Sequence, residues 1–394
     1  MRIDLVFPVL PPALDGIGDH TALLAQGLRD AGASVRVHTA QADPTSIPGV
    51  PILQDFSVTP PRAVEALVEA VAADPPDWLF VQFNQFSYGR YGFNPWLPLT
   101  LHRLRRRVPA LKVAWMAHED FVPAVNWKFA VMTLWQRAQF WTLGRQADHI
   151  FFSIDPWVQR YGAWFPDTPV THLPAGSNMP RLALSREEAR RRVGVPADAV
   201  VAGLFGTLAG NARDMDAIEA ALTALHREID TLVVLYVGPH GPLLRERLPG
   251  LPLRDAGRLP APDVSVHLRA MDLHLSPFVD GLSTRRGSAL AGLQHGVATV
   301  STDGPLTDRM IRAEDGRTLV LTPVGAPEAF AAAAVRLART PGARRRLGAR
   351  GRRFFDTHFD WRVLADRVLS SLSAAPSSSV NAPSHEGRAP ASIT

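Results

Sequence analysis

Arg285 and Arg286 stand side by side between the apolar run "MDLHLSPF" (271–278) and a helix-patterned stretch of small residues that begins at Gly287. Asp280, Ser283 and Thr284 occupy the turn before them. Guanidinium groups suit a diphosphate where the first turn of a helix leaves its N–H groups without intrahelical partners. A solvated loop with two surface charges would have the same composition, so the pair alone decides nothing. A second unit of the same build lies at "FGTLAGNARDMDAIEAALTAL" (205–225), with Thr207 in its turn and Arg213 near its helix start. Asp214 and Asp216 offer that arginine a purely local pairing, but two arginine-bearing turns could also converge on one diphosphate.

Two more constellations carry polar chemistry. In "PPALDGIGDHTALLAQGL" (11–28), Gly16 and Gly18 follow a strand-like segment and precede a helix, so backbone could approach a ligand closely. A tight turn that needs glycine for its geometry explains them equally well. The spacing is not the dinucleotide-binding fingerprint, and no acid follows the second strand at the expected place. In "WMAHEDF" (115–121), His118 ends an apolar strand, with Glu119 and Asp120 after it. A histidine there can exchange hydrogen bonds with sugar or phosphate oxygens, or can be an ordinary structural residue. The 13 histidines show no metal-ligand spacing. No nucleophile elbow, P-loop or Ser/His/Asp set is legible. The expectation is therefore no metal and no bound cofactor.

The elements that must position these residues alternate. Buried parallel strands are expected at 2–10, 34–39, 77–83, 112–118 and 149–154, and again at 200–207, 231–238, 271–278 and 297–302. Helical stretches lie between them, such as 20–32, which ends on Gly32. The alternation predicts an α/β chain with a doubly wound parallel sheet in each half and a cleft where the C-terminal strand ends of the two sheets face each other. We divide the chain into an N-terminal domain (1–178), a C-terminal domain (179–342), closing helices that return to the N-terminal domain (343–372) and a small, polar, proline-rich tail (373–394) expected to be disordered.

Composition narrows the class. With 394 residues, 46% hydrophobic and 20% charged, the chain reads as a soluble protein with substantial cores. The net charge of +5 does not point to nucleic acid. Arginine supplies nearly every cation, and the clusters at 101–112 and 343–354 lack interleaved aromatics and read as solvated helix faces. The absence of cysteine and of a basic leader at the N-terminus fits a cytoplasmic protein. The stretch "FAVMTLWQRAQFWTLG" (129–144), interrupted by Gln136, Arg137 and Gln139, reads as a partly buried amphipathic helix, with peripheral contact at the inner membrane face as the alternative.

In the order of its parts the chain resembles the family-four retaining glycosyltransferases of the GT-B fold over about residues 1–370. The likeness rests on the Gly16–Gly18 segment, on His118, on "AGRLPAPDVSVHLRAMDLHLSPF" (256–278) and "LAGLQHGVATVST" (290–302), and on the terminal "FFDTHFDWRVLADRVL" (354–369). It implies two Rossmann-like domains facing across a cleft, a nucleotide-sugar donor held by the second, and a last helix anchored on the first through Phe359 and Trp361. There are departures. Many members carry two glutamates eight positions apart where Ser283 and Ala291 stand here, and an arginine and a lysine where Thr207 and Ala212 stand, with Arg213 one place on. Either phosphate binding has been rebuilt around Arg213, Arg285 and Arg286, or donor binding has been lost.

The reading is a retaining, metal-independent glycosyltransferase of glycan biosynthesis. His118, Arg213 and Arg286 would be its catalytic residues, and Gly16, Gly18, Thr207, Asp280, Ser283, Thr284, Arg285 and Gly287 would bind the donor. Its partners would be a nucleotide sugar and a glycan, lipid-linked or small-molecule acceptor. A nucleotide-sugar epimerase and a catalytically degenerate sugar-nucleotide-binding subunit are the rival readings.

Overall fold

The computed structural model describes residues 1–208, 210 and 212–374. Among the described residues, thirteen parallel strands build two sheets. The first contains β1 (Arg2–Val6), β2 (Ser34–His38), β3 (Ile52–Leu53), β4 (Trp78–Phe83), β5 (Lys112–Ala117), β6 (His149–Phe152) and β7 (Val170–His172), in the order β3-β2-β1-β4-β5-β6-β7. The second contains β8 (Val200–Phe205), β9 (Leu232–Val237), β10 (Leu253–Asp255), β11 (Leu273–Leu275), β12 (Ala298–Asp303) and β13 (Val320–Pro323), in the order β10-β9-β8-β11-β12-β13. Central strands are apolar on both faces because helices cover both: all six residues of β4 are buried. The four strands not expected from sequence, β3, β7, β10 and β13, are the sheet edges. They are two to four residues long and largely half-buried, so they lack the apolar run that marks a central strand.

Strand order reverses between β1 and β4 in one sheet and between β8 and β11 in the other. At each reversal neighbouring connections leave in opposite directions and open a crevice at the C-terminal strand ends. The loops after β8 and β11 at the second crevice include the two turns singled out for their arginines.

Three expectations need correction. Gly16 and Gly18 do not precede the first helix but form its first turn, since the helix runs Gly16–Asp30 with Asp15 as its cap. Of the closing helices, Pro341–His358 packs on the second half, against β12 and the helix Gly287–Gln294, and Phe359 is buried in the same cluster as Phe278 and Leu290. Only Trp361–Ala374 crosses back, setting Leu364, Ala365, Val368 and Leu372 into the core beneath β1 and the first helix. That helix includes residues 373 and 374, which the tail was expected to hold; residues 375–394 lie outside the described residues.

The helix Trp127–Gly144 is partly buried as expected, through Met132, Phe140 and Leu143, but Gln136 and Gln139 lie on its buried side and several apolar residues on its exposed one. Gln136 is 0% exposed, whereas Trp127 is 74% and Leu134 72% exposed. The glutamines face inward because neighbouring loops need partners for their backbone groups. Gln136 accepts from the Val122 N–H and donates to the Tyr91 carbonyl, and Gln139 accepts from the Asn94 N–H. No helix among the described residues is long and apolar enough to cross a membrane.

Candidate active site

The two crevices face each other across a cavity of about 460 Å³. From the first half come Gly16, Ile17, His20, Asn84, His118 and Glu119; from the second come Phe205, Thr207, Arg285, Gly287 and Ser288. Trp361 of the crossing helix closes one side and donates its indole N–H to the Ser177 carbonyl at 2.8 Å.

His118 follows β5, its backbone N–H bonded to the Phe83 carbonyl, so the sheet itself aims the ring at the cavity. Its Nε2 lies 2.6 Å from Gln82 Oε1. With the proton on Nε2 donated to that oxygen, Nδ1 keeps a lone pair that can accept from a hydroxyl. Burial, with His20 adding to it, holds the His118 pKa well below the ordinary value, so the ring is neutral at physiological pH.

His20, which sequence reasoning did not select, sits one helical turn beyond Gly16 and packs edge-on against His118, with ring centroids 4.7 Å apart. It is 3% exposed, and burial pushes its pKa down to about 3. Neither ring nitrogen has a hydrogen-bond partner among the described residues. Buried polar atoms are rarely left so, and the residue that carries this pair is part of the cavity lining. The signal in the sequence was the i, i+4 spacing from Gly16, which puts both on one face of the helix.

The second half presents cations. Arg285 lines the cavity and pairs with Asp280 at 3.0 Å and, across to the first half, with Glu119. Arg286 lies behind it, held on Asp280 at 2.8 Å and stacked over the Phe278 ring at 4.7 Å. Arg285, rather than Arg286, is thus the member of the pair at the cavity wall. The helix Gly287–Gln294 that begins beside them has no side-chain cap. It can sit so deep because its residues are small: a Cβ on Gly292 would lie 2.2 Å from His274 Nδ1.

Arg213 does not converge on the cavity. It is buried on the Phe278 ring at 4.3 Å, and its guanidinium bonds Ser276 Oγ at 2.7 Å, the Phe205 carbonyl at 2.8 Å and Ser288 Oγ at 2.9 Å. Burial lowers its pKa to about 9. Its place is behind the wall, fixing Ser288 and the loop after β8. Ser283 and Thr284 are also withdrawn. Thr284 Oγ1 donates to the Ser153 carbonyl at 2.8 Å and lies 2.8 Å from His172 Nε2, which ties the turn to the first half. Gly18 faces the loop after β1, where a Cβ would sit 2.6 Å from the Val9 carbonyl oxygen, so its glycine is required by packing. Asp15 Oδ1 takes the N–H groups of both Ile17 and Gly18 at 2.8 Å, which occupies the helix start expected to receive an anion. Gly16 and Thr207 remain on the cavity wall. Among the described residues no group of three or more His, Asp or Glu side chains is placed to hold a metal ion.

Two facing parallel-sheet domains with a helix crossing back define the GT-B fold, and comparison with solved structures agrees. Sucrose-phosphate synthase from Thermosynechococcus elongatus superimposes with a TM-score of 0.71 at 17% identity, covering 95% of this chain and 100% of that one. HepE of Anabaena, in complex with UDP-glucose, gives 0.64 at 13% identity, covering 95% and 99%. A Listeria monocytogenes protein assigned as a UDP-N-acetylglucosamine 2-epimerase gives 0.56 at 14% identity, covering 94% of each chain. No family model and no curated protein sequence matches the chain.

Proposed function

We propose that the protein is a retaining glycosyltransferase that uses a nucleoside-diphosphate sugar, with no metal ion required. The observation that carries this reading is the division of labour across one cavity: Arg285 and an uncapped helix start on one wall, unpartnered neutral imidazole nitrogens on the other. As the bond from the anomeric carbon to the diphosphate breaks, negative charge grows on the leaving oxygen, and preorganised cations and N–H dipoles stabilise it. His118 and His20 accept from sugar hydroxyls and hold the anomeric carbon in position. The GT-B proteins named above, one of them seen with UDP-glucose, make a nucleotide sugar the natural donor class.

The epimerase reading gains one observation, since Glu119 lines the cavity and could serve as a base. Its carboxylate is engaged by Arg285, which favours transfer. Incubation with a panel of nucleotide sugars, with and without EDTA, decides the matter. Free nucleoside diphosphate that persists in EDTA is the expected result. A new sugar nucleotide would establish epimerisation, binding without turnover would establish the degenerate subunit, and a magnesium-reversible loss in EDTA would overturn metal independence.

A further inference from the structure

The outward face of the helix Trp127–Gly144 carries Trp127, Val131, Leu134, Ala138 and Trp141 in one stripe at helical spacing, and all five are exposed. Tyr91 and Phe93, also exposed, continue it: the Tyr91 carbonyl accepts from the Trp135 indole N–H at 3.2 Å, and the Phe93 ring lies 6.0 Å from that of Trp135. Exposed apolar side chains scattered singly need no explanation, but a contiguous aromatic stripe marks an interaction surface.

Charge selects the partner. No aspartate or glutamate occurs between Phe121 and Ala147, and none between Trp78 and His118. The cations on this surface stand beside aromatic rings: Lys128 lies 5.8 Å from the Trp127 ring, Arg145 5.8 Å from Trp141 and Arg90 4.8 Å from Tyr91. None of the three forms a salt bridge with a carboxylate among the described residues. Tryptophan and tyrosine flanked by unpaired lysine and arginine match the interfacial zone of a bilayer, where rings enter the headgroup layer and cations meet lipid phosphates. A second copy of this chain would bring the same unpaired cations face to face. Residues 375–394 offer only Val380 and Ile393 as large apolar side chains, too few to cover the stripe.

We propose that this face docks the protein on an anionic lipid bilayer. The face adjoins the cleft: a second cavity, of about 760 Å³, shares Asn84, Glu119 and Arg285 with the first and is lined also by the exposed Phe86 and by Thr133 of the same helix. The inference goes beyond the proposed transfer reaction and stands on the surface alone.

The experiment is flotation of the full-length protein, without donor or acceptor, with phosphatidylcholine vesicles and with vesicles containing phosphatidylglycerol. The wild type is expected to float with the anionic vesicles, and less well as salt is raised. Trp127→Ser, Leu134→Ser and Trp141→Ser combined should lower the bound fraction at least about tenfold with an unchanged melting temperature, since all three side chains are exposed. Lys128→Gln with Arg145→Gln should lower it several-fold and flatten its salt dependence. Failure of the wild type to float, or flotation unaffected by the triple variant, would overturn the proposal. So would a wild-type dimer that the triple variant converts to monomer, which would assign the face to a second copy. Nucleotide sugar is absent throughout, so a negative result leaves the transfer reading intact.

Discussion

The two walls of the cleft begin from the same local device, a parallel strand followed by a glycine-bearing helix start, and they end with opposite chemistry. On the first wall Asp15 caps the helix at Gly16 and consumes the N–H groups of Ile17 and Gly18, and the cavity is lined there by neutral imidazoles. On the second, the helix at Gly287 has no side-chain cap and Arg285 stands beside it, already balanced by Asp280 and Glu119. A glycine near a helix start is therefore not enough to make an anion site. The residue just before the helix decides, because a carboxylate cap fills the place an anionic ligand would take.

The sharpest way to break this contrast is to remove one functional group from each wall. His118→Ala should lower turnover about 10²-fold or more, the scale of a positioned hydrogen-bonding group. Because His118 is buried against Gln82, the substitution also leaves an amide oxygen unpaired, at a cost of about 1–3 kcal/mol in thermal unfolding. A variant that loses stability but keeps near-normal turnover would make His118 a structural histidine.

Arg285→Ala should weaken nucleoside diphosphate binding about ten- to a hundredfold in calorimetric titration, the loss of a charge-assisted contact. The control on the opposite wall is Asp15→Ala. It should cost about 1 kcal/mol of stability as a lost helix cap and leave diphosphate affinity unchanged. If Asp15→Ala alters affinity as much as Arg285→Ala does, the walls are not divided as described.

The smallest effect separates the walls by pH. His20 has a folded pKa of about 3 against about 6.5 unfolded, so below the unfolded value protons bind the unfolded chain preferentially. Its contribution to stability is complete above about pH 6.5 and declines as pH falls, by about 1.4 kcal/mol per pH unit. His38 has the opposite sign. Asp4 and Asp55 raise its pKa to about 8 against the burial that would lower it, so its contribution is present below pH 6.5 and is lost as pH rises through 8. Melting temperatures measured between about pH 7 and about pH 5.5 should fall in the wild type, and fall less in His20→Asn. An equal fall in His20→Asn would show that the buried imidazole is not what acid attacks.

Much of this protein was legible from its residues because the determining signals are local. Apolar runs broken by helical periods specify parallel strands and crossovers, and the nine central strands were readable while the four short edges were not. His118 at a strand end, Gly16 and the arginine turn could likewise be placed at the cleft, because in a doubly wound sheet the C-terminal strand ends converge. What the sequence could not order was depth. Arg213, Arg285 and Arg286 look alike in a string of letters, yet one is sealed behind the wall on Phe278, one reaches the cavity and one lies behind its neighbour. The same holds for Gln136, whose polarity suggested a solvent face and whose place is set by the loop carbonyl and N–H it must satisfy. Periodicity is a property of neighbouring residues and survives any tertiary arrangement. Burial and pairing depend on side chains 36 to 166 residues apart, as Gln82 is from His118 and Glu119 from Arg285, and only the packed structure brings those together.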